Sequence, residues 1–83
     1  MKAKDLAAIL MQHPDREVVL QKDPEGNGYS PLSDFWTGAY LPKTTWYGEA
    51  GLEELTPELK EQGFSEEDVI INGIKAIFLV PVN

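Results

Sequence analysis

The strongest constraint in this chain is its last apolar run, Ile74-Lys75-Ala76-Ile77-Phe78-Leu79-Val80. It is short and rich in β-branched and aromatic residues, which predicts a strand. Side chains of an extended chain alternate between faces. Ile74, Ala76, Phe78 and Val80 therefore share one face, Ile77 and Leu79 the other, and only Lys75 is polar. A strand apolar on both faces predicts a place in the middle of a sheet. Both faces then need cover, and 83 residues must supply it. A chain of that size buries only about 60–65% of the surface its unfolded form exposes, so one modest core over residues 1–83, a single domain, is expected.

One cover is legible near the start. Leu6, Ile9 and Leu10 follow the i, i+3, i+4 spacing, which predicts a helix over 4–12. Pro14 disfavours helical geometry at His13 and stops it. The β-branched run 17–21 and the segment 33–40 predict two further strands, separated by the turn residues Asp23-Pro24-Glu25-Gly26-Asn27-Gly28. Phe35, Thr37 and Ala39 face one way on the second strand, and Trp36, Gly38 and Tyr40 the other. Residues 41–72 form an excursion, of which 41–55 has no clean period. Within it, Thr56-Pro57-Glu58 starts a short helix that Gly63 can close. Ser65-Glu66-Glu67-Asp68 has the form of a capping box, with Phe64 and Val69 as its staple. Asn72-Gly73 is a turn pair; residues 69–71 before it read equally as a helical turn or as one arm of a tight hairpin.

The expected fold is α+β: an N-terminal helix packed on a small, mainly antiparallel sheet of three to four strands, with short helical turns in 41–72. The expected core is Leu6, Ile9, Leu10, Val18, Leu20, Phe35, Ile74, Ala76, Phe78 and Val80. Cover for the second sheet face comes from the 41–72 excursion or from a second copy. In a homodimer Trp36 and Tyr40 would lie at or beside the interface, and a closed two-fold pair is the commonest arrangement.

Charge sharpens the functional reading. The net charge is −7, and residues 49–68 alone hold eight acids against Lys60. The rest of the chain is balanced. Binding to a phosphate backbone is not expected, because that affinity needs clustered Lys and Arg. An acidic segment suits a basic protein partner, while its plainest role is to keep a small protein solvated. Glu53, Glu54, Glu58 and Glu61 are the candidate contacts, with Trp36, Tyr40, Trp46 and Tyr47 as exposed aromatic anchors. Trp and Tyr bury much area with few rotors and are enriched in binding hot spots. The plainer role of the same four aromatics is core or cover for the second sheet face.

Other chemistry has little support. No cysteine and one histidine leave no thiol nucleophile, no disulfide framework and little for a metal. Asp23, Glu25, Asn27 and Asp34 fall at positions 1, 3, 5 and 12 of a calcium-loop pattern with Gly28 at 6, but Pro31 occupies position 9 and strands flank the loop. The alternative is a hairpin loop in which Asp23 and Asn27 bond local amides. His13-Pro14-Asp15 resembles the J-domain tripeptide, yet too few residues precede it for the required helix. No phosphate-binding glycine loop and no nucleophile motif occurs. No enzyme activity and no cofactor are expected. No stretch reaches the roughly 20 apolar residues of a membrane span, nor does the start have a signal-peptide pattern, so a cytoplasmic protein is expected.

Lys4-Asp5-Leu6, His13-Pro14-Asp15-Arg16-Glu17-Val18-Val19, Asp23-x-Glu25-Gly26-Asn27-x-Tyr29-Ser30-Pro31-Leu32 and Leu79-Val80-Pro81-Val82-Asn83 together form a pattern. It resembles a family of small accessory proteins of tailed phages and prophages. The match covers both ends of the chain and is weaker over 41–72. The resemblance implies an accessory role in the host bacterial cytosol, regulatory or counter-defence, through binding a host or phage protein. It supplies no active site, so no residue role carries over. The alternative is a small-molecule or nucleotide-binding domain with an aromatic-lined pocket, at an oligomer interface in one form.

Overall fold

A computed structural model describes residues 1–82. The elements run α1 (Ala3–Met11), β1 (Val19–Gln21), β2 (Tyr29–Pro42), β3 (Gly48–Gly51), α2 (Pro57–Glu61), a 3-10 turn (Glu66–Asp68) and β4 (Ile74–Pro81). The fold is α+β, as the sequence predicts, with a four-stranded, mainly antiparallel sheet. β2 is its hub: β1, β3 and β4 all pair with it. Two compact units divide the chain. The first is Met1–Phe35 with the chain from Leu79 on, and the second is Trp36–Phe78. Among the described residues no helix is long and apolar enough to cross a membrane.

In the first unit, α1 ends where Pro14 predicts. Gln12 and His13 donate to Ile9 and Leu10, and the chain then turns. β1 is antiparallel to β2, with Val19, Leu20 and Gln21 opposite Pro31, Ser30 and Tyr29. β2 begins four residues before the predicted strand and runs through Pro31. The alternation of an antiparallel ladder explains why that proline is tolerated. Leu32 N–H donates to Val18 O, so the amide position of residue 31 points away from β1. Proline therefore takes no bond from the β1 ladder, and on the other side its carbonyl accepts Val82 N–H at 3.0 Å. The 23–28 loop closes on Asp23, whose Oδ1 accepts from Glu25 N–H at 2.9 Å and Asn27 N–H at 3.1 Å. Asp23 Oδ2 accepts from Asn27 Nδ2 at 3.0 Å. Gly26, at φ +80°, supplies the left-handed residue of the turn.

In the second unit, β2 and β3 form a hairpin, Ala39 opposite Gly51 through Pro42 opposite Gly48. α2 and the 3-10 turn follow the predicted caps. Thr56 Oγ1 accepts from Leu59 N–H at 3.2 Å, and Gly63 at φ +103° closes the helix. Asp68 Oδ2 accepts from Ser65 N–H at 2.8 Å. Trp36 stacks on Phe78, ring centroids 4.1 Å apart and planes 20° apart.

Three expectations are corrected. β4 is not the middle strand: among the described residues it pairs only with β2, which holds that place instead. Length decides this, since the 14 residues of β2 give it room for three partners. Next, Ile9 and Leu10 are 46% and 41% exposed, and Phe35 and Ile74 are exposed as well. α1 buries none of its residues, so its apolar stripe is only partly covered. Leu6, Val18, Leu20, Ala76, Phe78 and Val80 are half-buried. Buried side chains are confined to Ala39 and Ser30 among the described residues, each 3% exposed. Finally, residues 69–71 form no hairpin with β4. Val69 makes an isolated parallel bridge to Leu52, and Asn72 turns the chain at φ +64°.

Candidate functional site

A cleft of about 700 Å³ opens in the second unit. Its apolar lining comes from Trp36, Leu52, Phe64 and Ile70, and Glu49, Glu67 and Asp68 supply its acids. Local chemistry assembles it. The β2–β3 hairpin turns on Thr44, whose Oγ1 accepts from Trp46 N–H at 3.0 Å and Tyr47 N–H at 3.2 Å. That turn sets β3 beside β2 and so brings Glu49 and Leu52 toward Trp36. The opposite wall is tied to β3 by backbone bonds: Leu52 N–H to Asp68 O at 2.9 Å, and Ile70 N–H to Leu52 O at 3.0 Å. Gly51 permits this close approach. A Cβ there would lie 2.7 Å from Ile70 Cγ1 and 2.8 Å from Asp68 O.

The cleft has a negative rim with one local counter-charge. Lys43 Nζ lies 3.7 Å from Glu49 Oε1, and both side chains are solvated. Such a pair contributes about 0–1 kcal/mol, so Glu49 remains accessible to another cation. Asp68 keeps one oxygen on Ser65 N–H. Glu67 has no ion pair among the described residues and is the least engaged acid of the rim.

The predicted contacts divide. Trp36 lines the cleft, half covered by its stack on Phe78. Tyr40 is half-buried and packs where Gly48 leaves room: a Cβ at Gly48 would meet its ring at 2.6 Å. Trp46 is 91% exposed at the hairpin tip, and Tyr47 beside it is exposed too. Glu53, Glu54, Glu58 and Glu61 are all exposed and line no part of the cleft. The acids that do so are Glu49, Glu67 and Asp68, which the sequence counted within the acidic segment but did not single out as contacts. Phe64 was visible as a staple residue but not as a cleft wall. Leu52 and Ile70 carried no signal, because a lone parallel bridge leaves no periodic pattern.

The calcium-like residues serve the loop. Asp23 uses both oxygens on Glu25 and Asn27. The bonds from Asn27, backbone first and then side chain, hold its carboxyl below the ordinary carboxylate range. Asp34 lies inside β2 rather than at the loop, and accepts from Phe35 N–H. Among the described residues no group of three or more His, Asp or Glu is placed to hold a metal ion. No protein-family model, curated protein or solved structure matches this chain.

Proposed function

We propose that this chain is a non-enzymatic protein-binding module whose cleft takes a basic, partly apolar segment of a partner protein. The setting is the one its sequence resemblance implies, an accessory protein of a tailed phage acting on a host or phage protein. What supports the reading is one arrangement: a cleft whose lining joins apolar side chains, an aromatic anchor among them, to three carboxylates. An apolar face on the ligand would displace water from Trp36, Leu52, Phe64 and Ile70, at about 25 cal/mol per Å² of area removed from water. Lys or Arg flanking that face would meet Glu49, Glu67 and Asp68. A helix with an apolar stripe and basic flanks combines both.

A small-molecule reading has one observation in its favour, since about 700 Å³ lies in the range of ligand pockets and Trp36 offers a ring to stack on. The carboxylates would repel a nucleotide's phosphates, so an uncharged or cationic planar ligand is the form this reading takes.

The test is a titration with a Lys/Leu amphipathic peptide, a Glu/Leu peptide of the same pattern as control. The proposal expects binding of the first only, weakened by added salt. It expects loss in a Glu49→Gln/Glu67→Gln variant and retention in a Glu54→Gln/Glu58→Gln variant, which removes equal charge away from the cleft. Equal losses in the two variants would reduce the cleft to a general acidic surface.

A further inference from the structure

β4 has an unused edge. It pairs only with β2, and none of its backbone groups bonds a loop or a side chain among the described residues. Val82 N–H points to β2, where it meets Pro31 O. By strand alternation, the amides of Val80, Phe78, Ala76 and Ile74 point the same way. Those of Lys75, Ile77 and Leu79 then point outward. Pro81 falls on the outward set, so its missing N–H costs β2 nothing.

Exposed edges invite pairing, and proteins blunt them with charges, bulges, prolines or short strands. β4 is eight residues long with Lys75 as its one charge, and its proline stands at the end. Its outward backbone comes with uncovered apolar side chains: Ile74, Ile77 at 47% and Leu79 at 39% exposure. Apolar side chains on both faces suit a strand with neighbours on both sides, and the described residues supply one, β2.

We propose that a second copy of this chain supplies the other, through two-fold antiparallel pairing of β4 with itself. A two-fold axis makes a strand antiparallel to its own copy, so the edge is self-complementary by geometry. The register centred on Ile77 fits best. It matches outward residue to outward residue: Ile77 with Ile77 of the second copy, and Lys75 with Leu79 in both directions. The two strands would exchange about six hydrogen bonds. Lys75 meets no like charge, since the two lysines stand about 14 Å apart along the strands. Its aliphatic stem lies over Leu79 instead. Centring on Ala76 would bring the lysines closer and leave Leu79 without that cover. The acids of 49–68 contribute no residue to β4, so the net charge of −7 opposes pairing at a distance rather than at the contact.

Light scattering of the 83-residue chain at tens of micromolar tests this. The expected mass is twice 9.3 kDa, with association tightened by added salt as the repulsion between two −7 chains is screened. Ile77→Lys sets two ammonium groups directly opposite each other and should weaken the dimer about tenfold or more. Ile77 is half-exposed, so the monomer should keep its circular dichroism. If that variant does not fold, amide exchange on the wild type decides: protection at Lys75, Ile77 and Leu79 should rise with concentration. A monomer at every concentration, a dimer untouched by Ile77→Lys, or exchange independent of concentration overturns the proposal. None of these readouts involves the cleft, so this proposal and the peptide-binding one fail separately.

Discussion

Adding one methyl group at Gly38 should break the frame of the cleft. A Cβ there would lie 2.5 Å from Gly51 O and 2.7 Å from Trp36 Cζ3. The first contact is with backbone, so relief requires β2 and β3 to move apart where Ala39 pairs with Gly51. The second contact pushes the Trp36 ring off Phe78. Overpacking of this kind costs about 1–3 kcal/mol. A lost aromatic stack adds about 0.5–1.5 kcal/mol. Gly38 has no positive φ, so alanine also removes freedom from the unfolded chain, a gain of about 0.4–1 kcal/mol. The balance is centred on about 2 kcal/mol of destabilisation, within a span of about 0.5–4 kcal/mol. A chain of this length has roughly 4–12 kcal/mol in all, so the change is large. Urea unfolding of Gly38→Ala measures it, and the melting midpoint should fall by about 10–20 °C. Near-ultraviolet circular dichroism should lose the signal of the Trp36–Phe78 stack in the same variant. Gly63→Ala is the contrast. Nothing stands within 4 Å of a Cβ there, and only the φ of +103° is unfavourable. Its cost should therefore leave the aromatic signal intact. A Gly38→Ala protein within about 0.5 kcal/mol of wild type, with its aromatic signal unchanged, would refute the packing argument.

Thr56→Ala removes the cap bond to Leu59 N–H and should cost about 1 kcal/mol in urea unfolding, with the loss confined to the α2 region in amide exchange. The folded carboxyl of Asp23 titrates below its unfolded value, so its contribution to stability is present above the unfolded value and lost as pH falls through the folded one. Asp23→Asn should therefore be less stable than wild type at neutral pH, and the gap should close in acid, as read by melting scans across pH. Trp46→Ser should leave stability within about 0.5 kcal/mol, because the side chain is 91% exposed. Its fluorescence then reports Trp36 alone, which should shift when the Lys/Leu peptide binds.

Local chemistry carried much of the fold into the sequence. Pro14 ending α1, Thr56 and Gly63 bounding α2, and Asp68 closing onto Ser65 are each decided by residues within a few positions, so spacing alone exposes them. The hub role of β2 is a different kind of fact. It depends on one strand having three partners at different points along its length, and no local pattern encodes that. The apolar alternation of β4 was read correctly as strand and wrongly as central, because periodicity reports which side chains want burial and not what buries them. The cleft was legible only through Trp36. Its other walls meet through the Leu52–Val69 bridge, a contact between segments 17 residues apart with no repeating signal. The acidic segment drew attention to its most crowded stretch, Glu53 to Glu61, which lines no part of the cleft. Those acids are exposed on or near α2, while Glu49, Glu67 and Asp68 are drawn to the cleft by β3 and the 3-10 turn.

Charge also separates the two proposed contacts by sign. A basic ligand at Glu49 and Glu67 gains from attraction, so salt should release it. Two chains of −7 meeting along β4 lose from repulsion, so salt should draw them together. The screening length falls from about 10 Å to about 3 Å between 0.1 and 1 M salt, which covers the relevant distances. The combination fixes what one titration must show. With salt rising, peptide affinity should fall while the mass by light scattering rises toward the dimer. If both rose together, the peptide would be held by apolar area alone, and the carboxylate rim would have no part in recognition. If both fell, the association between copies would rest on opposite charges meeting, which an edge bearing only Lys75 cannot provide, and pairing along β4 would have to be abandoned.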